Sequence, residues 1–469
     1  MQEKIPKHKV LLTIAIASFL APFMISSTNI ALPSIQKDLS VNAVVLSWIV
    51  TSYLLSTAVF LIPAGKISDI YGRKKLFLMG TAIYTVTSLI CSLAQSGGML
   101  IITRIFQGLG ASIIMTTATA ILTSVYPPSE RGKALGVNVS MVYVGLACGP
   151  TIGGLLTAHL GWRSIFYTAA PIGIITLVLA LLYIKGEWAD AAHEKLDVGN
   201  SILYALVLIA ITYGFTRLPA PSGIISLLLG LLGSIAFVKN QLQAKYPVFN
   251  LHLFKDNRVF AFSNLAALIN YGATSAVTFL LSLYLQYIKG MPPQAAGLVL
   301  IVQPIIQAAI SPLAGALSDK IEPRFLSSLG MALTSLGLFG LVFLSQETAL
   351  FYIVSILIVL GLGFALFGSP NTNAIMGSVT RQYYGIASGS VSTMRLLGQN
   401  FSMALATLMI TLFIGKAQIS PETYQPFLDS SRLTFSIFTV LCLAGIYFSF
   451  FRGELHTQEE PKTKKIKNR

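Results

Sequence analysis

Acidic residues are scarce in this chain. Only 17 of 469 residues are Asp or Glu, against 32 Lys or Arg. Fourteen apolar stretches run along the sequence, and none holds an Asp or a Glu. The acidic residues are therefore expected in loops and tails. The three cysteines, Cys91, Cys148 and Cys442, all sit in apolar stretches, which points to packed thiols rather than disulfides or metal ligands. The five histidines lie in loops or tails without zinc-type spacing, and no metal site is expected. No G-x-x-x-x-G-K-[ST] phosphate loop is present, so the chain has no evident ATP-hydrolysing part of its own. No cluster of acid, base or nucleophile sits at membrane depth, so neither an enzyme nor a bound cofactor is expected.

What is present is apolar. The chain is 54% hydrophobic and 10% charged, with a mean hydropathy of +0.74. A soluble domain carries about 25% charged residues, and a membrane-spanning helix needs roughly 20 apolar ones. The stretches lie near 10–32, 46–65, 76–95, 99–125, 136–158, 164–184, 201–216, 223–238, 260–286, 294–317, 325–345, 349–373, 385–415 and 432–451. They predict an all-α integral membrane protein with fourteen transmembrane helices. The first stretch is longer than a signal-peptide core and lacks a clear A-x-A site, so it reads as a retained helix. Arg104 and Arg395 lie inside stretches. Of the other Lys and Arg, only Lys37, Arg163, Arg217, Lys289, Lys416 and Arg432 fall on one side of the alternating loops. The rest fall on the other, which places both termini in the cytoplasm. The net charge of +15 is then a bias spread over many short loops, so the expected surroundings are a lipid bilayer and not a nucleic acid.

One short repeat is informative. "GKISDIYGRKK" (65–75) follows the second stretch and "GALSDKIEPR" (315–324) follows the tenth. Each sets Gly, then Ser-Asp, then basic residues, on the same side of the membrane. Equivalent loops on one side indicate two halves related by an axis along the membrane normal. The copies are too far apart for two six-helix halves alone. The layout predicted is an N-terminal six-helix half over 1–190, two inserted linker helices over 191–245, a C-terminal six-helix half over 246–452 and a charged tail over 453–469.

With these motifs the chain resembles a major facilitator superfamily transporter of the fourteen-helix drug:proton antiporter type. "GKISDIYGRKK" resembles the signature loop of that superfamily, "LIITRIFQGLGAS" (100–112) its fourth-helix motif and "GLACGPTIGGLL" (145–156) its antiporter motif. "LSWIVTSYLL" (46–55), "WRSIFYTAAPIG" (162–173), "YLQYIKGMPPQAAGL" (284–298) and "SPNTNAIMGSV…YGIASGSVSTMRLLG" (369–398) resemble segments of the fourteen-helix branch. The resemblance implies alternating access around a midplane site, with a small-molecule substrate, protons as coupling ion, a monomeric carrier and a plasma-membrane location. It implies proton-coupled export of amphipathic compounds, drugs included. The alternative is uptake or facilitated transport of a neutral or anionic nutrient such as a flavin-like vitamin (riboflavin).

Candidate gating residues are Gly65, Asp69, Gly72, Arg73, Gly149, Pro150 and Asp319. Asp69 can accept from the free N–H groups of a helix start. Gly145, Gly149 and Gly153 recur every four residues beside Pro150, which predicts a tight, bent seam between the fifth helix and a partner in the other half. Candidate substrate-binding residues are Asn29, Arg104, Asn270, Gln303, Asn371 and Arg395, with Tyr53, Tyr143, Tyr271 and Gln307 as further polar groups. Arg104 falls about 9 Å and Arg395 about 15 Å into their helices. The drug-exporting branch carries an Asp in the first helix, where this chain has Met24. Thr116 and Ala169 stand where the branch has Pro and Asn. Without the first-helix Asp, the remaining polar set favours neutral or anionic ligands over cations.

Overall fold

The computed structural model describes residues 6–41, 43–217, 220–249, 251–415 and 421–455. Lys416 and the end of the charged tail, 456–469, fall outside them. Regular structure among the described residues is helical throughout: α1 (Lys7–Leu39), α2 (Ala43–Tyr71), α3 (Arg73–Ser92), α4 (Gly97–Val125), α5 (Pro128–Leu160), α6 (Arg163–Tyr183), α7 (Val198–Arg217) and α8 (Pro221–Gln243). After the short α9 (His252–Asp256) come α10 (Arg258–Leu283), α11 (Pro293–Leu300), α12 (Val302–Ser318), α13 (Pro323–Val342), α14 (Leu350–Gly377), α15 (Tyr384–Ile414) and α16 (Tyr424–Phe450). Short helical turns extend α10 and precede α15 and α16.

Thirteen helices among the described residues are long and apolar enough to cross a membrane. The expected count departs at the seventh stretch, whose apolar helical part is the shorter Val198–Gly214. Its first turn is polar: the Asn200 amide and the Ser201 hydroxyl bond back to Asp197. The tenth stretch breaks at Ile301 into α11 and α12. Pro304 lacks the N–H that would bond back across the break to Leu300.

The helices outrun their apolar stretches. α1 has 33 residues, about 50 Å at 1.5 Å each, against a hydrocarbon core of about 30 Å. Acidic residues therefore lie on helix ends as well as in loops and tails, which corrects the expectation from the stretches. Asp38 closes α1, Asp69 closes α2, Glu130 opens α5 and Asp429 sits near the start of α16. Asp38 accepts from Trp162 Nε1 at 3.0 Å and Arg163 Nη1 at 2.5 Å. Those bonds, Arg163 first, hold its carboxyl below the ordinary value.

α1–α6 pack around one core and α10–α16 around another. The two groups meet along two seams, α2 against α15 and α5 against α12. The α7–α8 hairpin lies beside the first seam. The Tyr204 hydroxyl on α7 is 3.3 Å from Ala58 O on α2 and 3.3 Å from Thr393 Oγ1 on α15.

The glycine run of α5 does not face the other half. Gly145, Gly149 and Gly153 press against Phe19–Phe23 and Ser26–Ser27 of α1, within the same half. The glycines at the cross-half seam are Gly132 and Gly136, whose neighbours are the α12 backbone at Gly315 and Ser311. Gly136 and Gly145 are nine residues apart, about two and a half turns, so they lie on opposite faces. Pro150 sits inside α5 on the α1-facing stretch.

A cavity between two halves and a clamp at one face

A cavity of about 420 Å³ lies between α1, α2, α4 and α5 on one side and α10, α14 and α15 on the other. Its lining is mostly aliphatic, from Ile25, Leu54, Ile114, Val139, Val391 and Met403. The polar groups are Asn29, Asn138, Tyr143, Tyr271, Gln399 and Asn400, with several hydroxyls. Asn138 Oδ1 is already engaged by Ser18 Oγ at 2.6 Å. Among the described residues no Asp or Glu lines the cavity, and Arg395 is the one charged lining residue. The Arg395 guanidinium lies over the Tyr271 ring, 5.0 Å from the centroid. Its Nε has no hydrogen-bond partner among the described residues. A cationic side chain stacked on a ring in the wall of a cavity attracts an anion or a carbonyl oxygen.

The other sequence candidates are placed differently. Arg104 is fully buried behind the wall. It bonds Ile49 O at 3.3 Å and Gln107 Oε1 at 2.8 Å, and lies 4.2 Å above the Tyr53 ring. Tyr53, not Arg104, lines the cavity. Asn270 is buried one residue before Tyr271, with neither side-chain polar atom partnered among the described residues. Gln303 and Gln307 are buried on α12, outside the lining. Asn371 is also outside it: its Oδ1 accepts from Arg452 at 2.8 Å and its Nδ2 donates to Ser263 O at 3.0 Å. The lining relies more on α5 and α15 than the sequence suggested, while α14 supplies only Thr372. Met24, where an Asp was sought, is fully buried.

Arg452 was missed. It follows α16, one residue beyond the last apolar stretch, and reads as a solvated charge at the end of the C-terminal half. In the fold it is fully buried and donates to Ser263, Asn371 and Ser327 on α10, α14 and α13.

Between the cavity and the face carrying the repeated loops, the two halves are clamped. Asp69, at the end of α2, accepts from Gly385 N at 2.9 Å and Ile386 N at 3.1 Å, at the start of α15. Asp319, just after α12, accepts from Gly132 N at 2.6 Å and Lys133 N at 2.9 Å, at the start of α5. Each carboxylate uses both oxygens on backbone N–H groups near a helix start in the opposite half; those of Gly385 and Ile386 belong to the first turn of α15 and have no partner within the helix. Close backbone approach makes this reachable. Gly65 meets Gly385, and Gly132 meets Gly315, with no room for a Cβ at any of the four. Arg73, fully buried, bonds Asp69 Oδ1 at 2.8 Å and also reaches Ser124 and Arg381 O. Tyr384 lies between Arg73 and Arg131, 5.3 and 5.6 Å from its ring centroid. The receiving ends repeat in sequence as well: "RGKALGV" (131–137) and "YGIASGS" (384–390) share G-x-A-x-G. That pattern could have revealed the partners of the two aspartates.

A family model described as Major Facilitator Superfamily matches residues 14–247 and 263–469. The chain belongs to the major facilitator superfamily. Among similar members is the riboflavin transporter RibZ of Clostridioides difficile, 32% identical over 95% of this chain and 97% of that protein. The multidrug resistance protein Stp of Mycobacterium tuberculosis is 32% identical over 84% of this chain and 74% of its own length. A solved structure of the proton:xylose symporter XylE superposes with a TM-score of 0.70 at 13% identity, covering 96% of both chains. The human organic anion transporter MFSD10 (TETRAN) gives 0.67 at 12%, covering 95% of this chain and 99% of the other. These two show the fold. As a member of this superfamily the protein is a membrane transporter, and small molecules are its substrates.

Proposed function

We propose that this protein exports amphipathic organic molecules whose polar end is neutral or anionic, by alternating access of two halves around the cavity. The observation that carries this is the cavity charge: Arg395 stands in the lining, and no carboxylate does among the described residues. A cationic drug would meet a like charge with no counter-ion, which is unfavourable in a low-dielectric site. The aliphatic walls and the Tyr143 and Tyr271 rings suit the apolar part of such a molecule. Export is supported by the likeness to exporters such as Stp.

The halves span 1–190 and 246–452, with 191–245 as an insertion, and the chain crosses the plasma membrane fourteen times as a monomer. Both termini are cytoplasmic by the distribution of Lys and Arg. The clamped face is then the cytoplasmic one, and Asp69 and Asp319 are its latches. Proton coupling falls to these latch carboxylates, since among the described residues none lines the cavity. Uptake or facilitated transport of a flavin-like vitamin is the second reading, favoured by the likeness to RibZ along 95% of the chain and by the tyrosines of the cavity. Flux of a neutral flavin and of an organic anion into and out of proteoliposomes separates the readings. Export driven by an imposed inward proton gradient supports the first. Inward flavin flux that ignores the gradient supports the second.

A further inference from the structure

The connection between α6 and α7 is polar and reads in sequence as a plain linker, "KGEWADAAHEKLDVGN". In the fold it lies along the loop that carries Asp69 and Arg73. Glu187 accepts from Lys74 N at 2.9 Å and Lys75 N at 3.0 Å, capping the start of α3 with both oxygens. It occupies the space where a Cβ on Gly72 would sit, and Gly72 has a φ of 111°. Trp188 O accepts from Arg73 N at 3.0 Å, and Ala191 N donates to Asp69 O at 2.9 Å. Asp190 pairs with Arg73 Nη1 at 3.1 Å. Glu194 pairs with Lys66, which is buried.

We propose that residues 187–194 form a strap that positions Arg73, and through it Asp69, in the clamped state. Arg73 is a guanidinium with no exposure to solvent. A buried charge is tolerated only when paired and hydrogen-bonded. Asp69 alone cannot serve it fully, because both Asp69 oxygens are also committed to Gly385 and Ile386. Asp190 supplies the second carboxylate, so Arg73 stays in place while Asp69 holds α15. The other clamp has no such need. Pro323 stands four residues after Asp319, where Arg73 stands after Asp69. The α6–α7 connection leads into the α7–α8 hairpin, which touches α2 and α15 at the same seam, so the strap and the hairpin act on one side only. Asp190 and Glu187 are positioning residues for the gate. The proposal rests on the alternating-access reading above.

The test uses the full-length protein with Cys91, Cys148 and Cys442 replaced by Ala and spin labels at Lys75→Cys and Lys320→Cys. Both positions are exposed, one on each half. Distances across the clamped face are read by double electron–electron resonance in nanodiscs. Asp190→Asn should raise the longer-distance population about fivefold, the scale of a partly exposed ion pair. Asp190→Asn with Glu187→Gln should raise it further, and Asp190→Glu should restore the short distance. Glu130→Gln, which removes an exposed pair with Lys7 on the same face, should leave the distribution unchanged. A shift in Asp69→Asn with none in the Asp190 and Glu187 variants overturns the strap alone. Absence of a longer population even in Asp69→Asn with Asp319→Asn overturns alternating access, and the strap with it.

Discussion

At the residue scale, Arg395 and Arg452 are both buried arginines with opposite surroundings. Arg395 lines the cavity and keeps one buried, unpartnered donor, Nε, among the described residues; Arg452 spends its donors on three helices, α10, α14 and α13. Arg395→Ala should therefore raise KM for an anionic substrate by about tenfold or more, the scale of a lost charge-assisted hydrogen bond, and change it less for a neutral one. Equal loss for both in proteoliposome flux would assign Arg395 to structure. Arg452→Ala should lower stability by about 3 kcal/mol, because Asn371 and two serines lose a buried donor, visible as a lower Tm in detergent. Asp319 adds a pH dependence. Burial pushes its carboxyl above the ordinary 3.8, against the pull of the Lys133 and Gly132 N–H groups. When the face opens, water returns it toward 3.8. The clamped state then binds the proton more tightly, and that stabilisation is full below 3.8 and fades as pH rises through the clamped-state value. Acidification from neutral should increase the short-distance population across this face, and Asp319→Asn should flatten the response. A clamped fraction that falls on acidification would contradict this sign.

At the scale of elements, each clamp is a helix end meeting a helix start through glycine. Gly385→Val should stop Asp69 from reaching the start of α15, because a Cβ there meets the backbone at Gly65 and the Asp69 carboxylate itself. The expected result is a correctly inserted protein with transport reduced at least tenfold and an enlarged open-face population; wild-type flux would refute the close approach. The two aspartates were legible because Gly, Ser-Asp and basic residues repeat after α2 and α12. Their partners were equally present in the G-x-A-x-G repeat but carry no charge to draw attention. The α5 seam was misplaced for a geometric reason. Spacing of four marks a glycine face without saying which neighbour it meets, and α5 has two such faces. The strap was illegible, since nothing in a polar linker shows that its carboxylates fold back onto Arg73.

At the scale of the molecule, apolar length gave the helices, and the loop repeat marked the two contacts between the α1–α6 and α10–α16 groups. The crossing count was harder to read because α7 is apolar over only part of its length. Arg452 was hidden because burial continues past the last apolar stretch. What the whole arrangement argues is selectivity by charge: among the described residues, a cavity lined by Arg395 and by no carboxylate, closed at one face by two carboxylates outside its lining. The decisive measurement is flux in proteoliposomes under an imposed pH gradient, comparing a cationic dye, a neutral flavin and an organic anion at equal concentration. The account predicts movement of the neutral or anionic compound, lost in Asp69→Asn, and no movement of the dye. Gradient-driven flux of the cationic dye would contradict it.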